Sequence, residues 1–354
     1  IIMDNLKLEY FSNINLSDPF FDSLKSDYKE FSDWFNKKQE KNESAFIFIN
    51  NQGLLDGFLY LKIEDEELND IEPNLPSKNR LKIGTLKINP HGTRLGERFI
   101  KKAFDIALIR NIDEIYVTLF EKHEALLNLF QKYGFETRAI KSTPNGNELV
   151  LFKNISLITG DIVKDYPNTP KISDRYLISL YPNWHSRLLP DSILKNEDPV
   201  LLIKDTSHTN SIHKIYLTAM EGTDRLKTGD TLVIYRTASD GKSAEYSAVA
   251  TSICVVEEVK NINDFKTLDD FLKYTLSYSI FSEKELTEFF KYKKYPVIIR
   301  FTYNIALNKR IIRKSLIEDI GIKRNQYWGF IKLTEQQYRD ILSRGEISEN
   351  LAIH

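Results

Sequence analysis

The sequence predicts an α/β first half, with a mixed, partly parallel central sheet and flanking helices, followed by a strand-rich α+β second half. Three observations lead there. From Ala45 to Phe152, apolar extended runs alternate with amphipathic helical stretches. After a segment punctuated by Gly160, Pro167 and Pro170, helical periodicity gives way to extended runs. The 354 residues suit two domains of ordinary size, and 42% hydrophobic with 28% charged residues allows sizeable cores. The domains are read as residues 5–155 and 176–354, with 156–175 as the linker.

Taken in order, Asp22 to Lys41 reads as a helix, because Leu24, Tyr28, Phe31, Trp34 and Phe35 recur at helical spacing. Ala45–Ile49 and Leu54–Ile63 read as strands around the turn Asn50-Asn51-Gln52-Gly53. An acidic loop follows. Arg80–Ile88 alternates as a strand and is broken by Asn89-Pro90-His91-Gly92. Leu95–Ile109 presents one helical apolar face through Phe99, Ala103, Phe104 and Ala107. Asp113–Phe120 is a strand, Lys122–Tyr133 a helix stopped by Gly134, and Leu149–Phe152 a last strand. Strand–helix–strand order requires long crossovers, hence a partly parallel sheet.

In the second half, Tyr176–Leu180, Ile212–Thr218, Thr231–Arg236, Tyr246–Val259 and Val297–Thr302 read as extended. A helical insert covers about 268–290. Shorter helices follow near Arg313–Ile320 and Thr334–Leu342, the last with Thr334 as N-cap and Gln337 at the capping-box position.

Composition excludes several classes. The one cysteine, Cys254, rules out an intramolecular disulfide and a cysteine zinc site, and its apolar surroundings read as a buried, inert thiol. That usage suits a reducing cytoplasm. No run approaches the roughly 18–20 apolar residues of a membrane span, and Ile1–Asn5 does not read as a signal peptide. The six histidines are scattered, with His208 and His213 five apart, so no metal is expected. Charge is uneven. Residues 1–80 carry 9 Lys or Arg against 16 Asp or Glu, whereas residues 291–344 carry 13 against 4. A basic end of this kind reads either as a polyanion surface or as a solvated charge mix.

Chemistry concentrates in Leu86-Lys87-Ile88-Asn89-Pro90-His91-Gly92-Thr93-Arg94-Leu95-Gly96-Glu97-Arg98. A strand ends, a glycine-containing loop follows and a helix begins. Free N–H groups and the positive end of the helix dipole make such a junction an anion site. Gly92 and Gly96 permit close approach, and Lys87 and Arg94 add charge. Further on, Ile115–Phe120 leads into a helix that ends in Lys132-Tyr133-Gly134-Phe135.

Together these segments resemble the GNAT N-acetyltransferase family over about residues 10–155. His91-Gly92-Thr93-Arg94-Leu95-Gly96 stands where the family has Gln/Arg-x-x-Gly-x-Gly/Ala. The final glycine matches, while His91 and Arg94 depart from the pattern. The resemblance implies acetyl-CoA as cofactor. Leu86, Lys87 and Ile88 would bind its pantetheine arm. The amides of Thr93, Arg94, Leu95, Gly96, Glu97 and Arg98 would bind its pyrophosphate. Many family members use a helix tyrosine to protonate the departing thiolate; Phe130 occupies that position here and would only contact the cofactor. Tyr133, Glu121 and His123 are the alternatives, each of which also reads as a packing or surface residue.

The second half resembles PUA-like domains of the EVE and ASCH kind, through Ile212–Leu217 and the Gly229-Asp230 turn before Thr231–Arg236. The resemblance implies a small β-barrel that binds RNA with a basic surface and an aromatic pocket. Trp184, Tyr235 and Trp328, with Tyr181, are the aromatic candidates. Arg236, Arg310, Arg313 and Lys314, with Lys323 and Arg324, are the basic ones. The leading expectation is an N-acetyltransferase acting on an RNA-linked amine, a base or an aminoacyl-tRNA, in the manner of a toxin or an RNA-modifying enzyme, with RNA and an antitoxin or other partner protein as the expected partners. Two alternatives stay open: a protein or small-molecule acceptor, and a non-catalytic protein that senses acetyl-CoA and binds nucleic acid.

Overall fold

The computed structural model describes residues 6–89, 94–189 and 211–347. They form two compact units that meet in sequence at Leu157 and Ile158.

The first unit is a seven-stranded sheet in the order β1-β2-β3-β4-β5-β7-β6. Its strands are β1 Leu6–Tyr10, β2 Ser44–Ile49, β3 Leu55–Glu64, β4 Arg80–Ile88, β5 Glu114–Leu119, β6 Glu136–Thr143 and β7 Gly146–Asn154. β4 and β5 run parallel and are bridged by helix α3, Leu95–Ile109; the other recorded pairings are antiparallel. This is the mixed, partly parallel sheet the sequence predicts. β1 and β6 go beyond the sequence reading. Both are edge strands: β1 alternates apolar and polar residues over only five positions, and β6 is largely exposed and polar.

The helix expected over 22–41 is two, α1 Asp22–Asp27 and α2 Phe31–Glu40, with Tyr28 extended between them at φ −129°, ψ 103°. An aromatic cluster seats them on the sheet. Phe11 and Phe35 lie 4.8 Å apart, Phe21 and Phe58 5.3 Å, and Phe21 and Phe35 5.6 Å, all edge to face. Phe58 of β3 faces this cluster, so its neighbour Gly57 faces the other side of the sheet. A Cβ on Gly57 would lie 2.5 Å from Leu95 and 2.8 Å from Phe99 of α3. Helices therefore cover both faces. The last helix of this unit is α4, Glu124–Lys132.

The second unit holds a six-stranded sheet in the order β13-β8-β10-β11-β12-β9. Its strands are β8 Arg175–Leu180, β9 His213–Thr218, β10 Thr231–Arg236, β11 Val249–Asn261, β12 Val297–Ile312 and β13 Phe330–Leu333. The expected closed barrel is not formed among the described residues. β13 and β9 end the sheet as edges, although register shifts such as Val256/Glu258 interrupt the long β11–β12 pair. Alternate residues of β8 serve two cores. Tyr176 and Ile178 join one, beneath α8 Leu268–Thr275 and α9 Glu283–Tyr292; Leu177 joins the other, against α10 Arg313–Glu318 and α11 Glu335–Arg344. The short helices of this unit are α5 Ile162–Asp165, α6 Pro182–Leu188 and α7 Ala244–Ser247. The Thr334–Gln337 capping box forms as the sequence predicts.

Residues 156–175, read as the linker, span the division at Leu157 and Ile158. Beyond Leu157 they pack into the second unit: Tyr166 is fully buried and its hydroxyl donates to Tyr303 O at 2.8 Å, and Asn304 Nδ2 donates to Pro167 O at 3.0 Å. Cys254 is fully buried, and that burial pushes its thiol up. No described helix is long and apolar enough to cross a membrane.

Candidate functional site

The parallel β4–β5 ladder runs from Leu81–Ile115 to Ile83–Val117 and stops there, although β4 continues to Ile88 and β5 to Leu119. The register of β4 against β3 shifts at this point, with Tyr60 opposite Thr85 and Leu61 opposite Ile83, so Gly84 is an extra residue in β4. Such a bulge bends a strand away from its neighbour. Glycine is required here, because a Cβ would lie 2.7 Å from the Tyr60 ring. The parted strands open on a cavity of about 910 Å3. Gly84–Ile88 form one wall and Val117–Leu119 the other, with α1, Tyr28 and the start of α4 around them.

Leu86, Lys87 and Ile88, the residues read as the pantetheine strand, line this cavity. Lys87 Nζ turns to Ser23 Oγ and lies 5.0 Å from the Phe20 ring, toward α1 and away from the α3 start. His91, Gly92 and Thr93 lie outside the described residues. Arg94 is the N-cap of α3, in the left-handed region at φ 50°, ψ 32°, and its own side chain makes no cap hydrogen bond. Leu95 is buried against Gly57. Gly96 is small for a different reason than the sequence suggests: a Cβ there would lie 2.6 Å from Leu129 and 3.3 Å from Ile88, both cavity residues. The side chains of Glu97 and Arg98 are buried, and the Arg98 amide already donates to Arg94 O at 3.2 Å, so it is not a phosphate donor. Phe130 is buried and lines the cavity.

Two of the three proposed proton-handling residues stand elsewhere. Tyr133 is fully buried at the C-terminus of α4, where its ring fills core, and it is not among the lining residues. Glu121 is exposed and also absent from the lining. His123 does line the cavity, with Nε2 3.1 Å from Asp27 Oδ2. Asp27 is also 2.5 Å from Lys122 Nζ.

The cavity contains residues that sequence reasoning missed. Tyr28 donates from its hydroxyl to Glu148 Oε1 at 2.8 Å, and its ring stacks on Phe120 at 5.2 Å. Burial, with the adjacent Glu148 carboxylate, raises the phenol above its ordinary range, so it stays protonated at neutral pH. Glu148 is a carboxylate 4% exposed on β7. Lys82 also lines the cavity, and burial holds its ammonium below the usual range, opposed by Glu64. Tyr28 fits helical spacing so well that it reads as packing, and Glu148 sits in a strand without any local motif.

In the second unit, a cavity of about 510 Å3 is lined by Tyr181, Trp184, Tyr235, Arg313 and Trp328, all predicted, together with Tyr216, Tyr295 and Tyr327. Its rings meet largely edge to face: Tyr181 and Trp184 at 5.4 Å, and Trp184 and Tyr295 at 5.9 Å. The Arg313 guanidinium lies 4.3 Å from the centre of the Trp328 ring. Most of the other basic candidates are engaged. Arg236 is buried, Arg310 Nη1 donates to Leu307 O at 2.6 Å, Lys314 pairs with Glu318 at 3.9 Å, and Arg324 pairs with Glu245. Lys323 is exposed. The basic excess is thus not one open surface, because carboxylates and carbonyls partner much of it. Among the described residues no group of three or more His, Cys, Asp or Glu could hold a metal ion.

No family model matches the chain. Its solved structural neighbours are distant. One is the NatC complex bound to Gag peptide and CoA, at 17% identity over 42% of this chain and 97% of that one, TM-score 0.28. A second is a GNAT family acetyltransferase from Elizabethkingia anophelis with acetyl-CoA bound, at 14% identity over 43% and 99%, TM-score 0.30. A third is a mutant ASCH protein from Zymomonas mobilis, at 10% identity over 48% and 94%, TM-score 0.31. At these scores the likeness decides nothing about this chain's chemistry.

Proposed function

We propose that the first unit is an acetyl-CoA-dependent N-acetyltransferase. The observation that carries this reading is the parting of β4 from β5 beyond Ile83–Val117, at the Gly84 bulge, into the 910 Å3 cavity. An extended amide-bearing arm can lie along a strand whose ladder has ended, as a further strand would. The α3 start brings the positive end of a helix dipole toward phosphates. The cavity between the strands is large enough for a ligand of cofactor size. The residues present therefore fit acetyl-CoA, whose thioester would supply the acyl group to an incoming amine.

The acceptor we propose is an amine carried on RNA, held through the aromatic cavity of the second unit. Seven aromatic side chains line the cavity, with the Arg313 guanidinium stacked on one of them, Trp328. Stacking contributes about 1–3 kcal/mol per base. The test is acetyl transfer from radiolabelled acetyl-CoA to aminoacyl-tRNA and bulk RNA, beside small amines and peptides. Label on RNA that falls at least fivefold in Trp328→Ala and Arg313→Ala supports the reading. Label on peptide or small amine alone supports the enzyme and removes the RNA acceptor.

A further inference from the structure

Resting on the acetyltransferase reading, we infer that Tyr28 and Glu148 form the pair that takes the proton from the acceptor ammonium. Both line the cavity between the parted strands. Tyr28 lies where the chain leaves α1, its ring stacked on Phe120 just after β5. Glu148 precedes Leu149, which pairs with Leu119 at the open end of β5. The two side chains thus converge on the β5 wall.

The direction of their hydrogen bond sets the role. The phenol donates its only hydrogen to Glu148 Oε1 at 2.8 Å, so toward the cavity its oxygen presents lone pairs. A group arranged in this way receives a proton from an ammonium; it is not poised to give one to a thiolate. In the step proposed, an ammonium N–H proton passes to Tyr28 Oη as the phenol proton passes to Glu148. The freed nitrogen lone pair forms the N–C bond to the thioester carbon, and the C–S bond breaks. A second nitrogen proton leaves with the thiolate, giving amide and free thiol, and Glu148 returns its proton to water. Tyr28 is neutral and Glu148 anionic before and after.

The charged groups around the pair are Asp27 and Glu30 on its own segment, Lys82 and Lys87 on β4, Lys122 and His123 before α4, Glu124 at its start, and Lys141 on β6. Asn145 Nδ2 holds Glu30 at 2.8 Å, and Lys122 and His123 hold Asp27, so these carboxylates are already paired.

The test uses the whole chain with acetyl-CoA and three primary-amine probes: glycinamide, spermidine and puromycin. Thiol release is followed against pH at saturating amine. Tyr28→Phe and Glu148→Gln should each lower kcat by about 10²–10⁴, with acetyl-CoA affinity by calorimetry and the thermal transition near wild type. The double variant should lose no more than either single one, because the two residues act as a unit. The variants' kcat should climb by about tenfold per pH unit below the probe's own pKa, since hydroxide must replace the pair; the wild-type profile should be flatter. Glu148→Asp should recover part of the rate. Tyr28→Phe within twofold of wild type, an unchanged pH profile, or a wild type that binds acetyl-CoA but acetylates none of the probes overturns the inference and leaves the cofactor site standing. A wild type that binds no acetyl-CoA removes both.

Discussion

Tyr28 and Tyr133 stand in surroundings that their sequence neighbourhoods do not suggest. Tyr133 sits beside the Gly134-Phe135 motif yet is sealed in the core, while Tyr28 sits on an apolar helical face yet lines the cavity. Spacing reports which face of a helix a residue shares, and cannot report that the helix breaks at that residue. The consequence is testable: Tyr133→Phe should change acetyl transfer by less than twofold, measured as thiol release. A second residue-scale expectation concerns Glu257 in the second unit. Burial pushes its carboxyl up, but His213 at 2.7 Å and Arg300 at 3.4 Å outweigh it and leave the group below its ordinary 4.5. A depressed carboxyl stabilises the fold fully above its unfolded pKa and loses that contribution as pH falls through the folded value. Thermal melts from pH 6 to about pH 3 should therefore fall less steeply in Glu257→Gln than in wild type. Equal slopes would contradict the assignment.

At the scale of elements, legibility followed amphipathicity. β4 and α3 carry strong apolar periodicity and are bounded by Pro90, Gly92 and the acidic loop, so their limits are read directly. The capping box of α11 is equally local, and Thr334→Ala should cost about 1 kcal/mol in a denaturant titration. β6 escaped because it is an edge strand that needs only one partner and keeps a polar face, and β1 because its alternation spans only five residues. The Gly84 bulge escaped because it depends on pairing with β3, which no local window contains. The α1–α2 pair depends on its aromatic cluster, where Phe21 is fully buried among Phe11, Phe35 and Phe58. Phe21→Ala should destabilise the first unit by about 3–5 kcal/mol, and by displacing α1 should also weaken any ligand of the cavity.

For the whole molecule, contacts divide the chain into two units at Leu157–Ile158. What could not be read was the closure of the second sheet. Strand order there, β13-β8-β10-β11-β12-β9, joins elements far apart in sequence, so a barrel and an open sheet share the same local pattern. The aromatic cavity draws together residues 179–329, among them Arg313 and Trp328, which the sequence offered as candidates through the PUA-like resemblance. The central claim nevertheless rests on the first unit, and calorimetric titration of the whole chain with acetyl-CoA, beside Gly96→Trp, tests it most directly. Gly96 abuts Ile88 and Leu129 on the cavity wall, so the indole would fill the space the ligand needs. Micromolar binding by wild type, weakened at least tenfold in a Gly96→Trp protein that melts as wild type does, is the predicted result. No heat of binding from wild type, or equal affinity in both, would contradict the account.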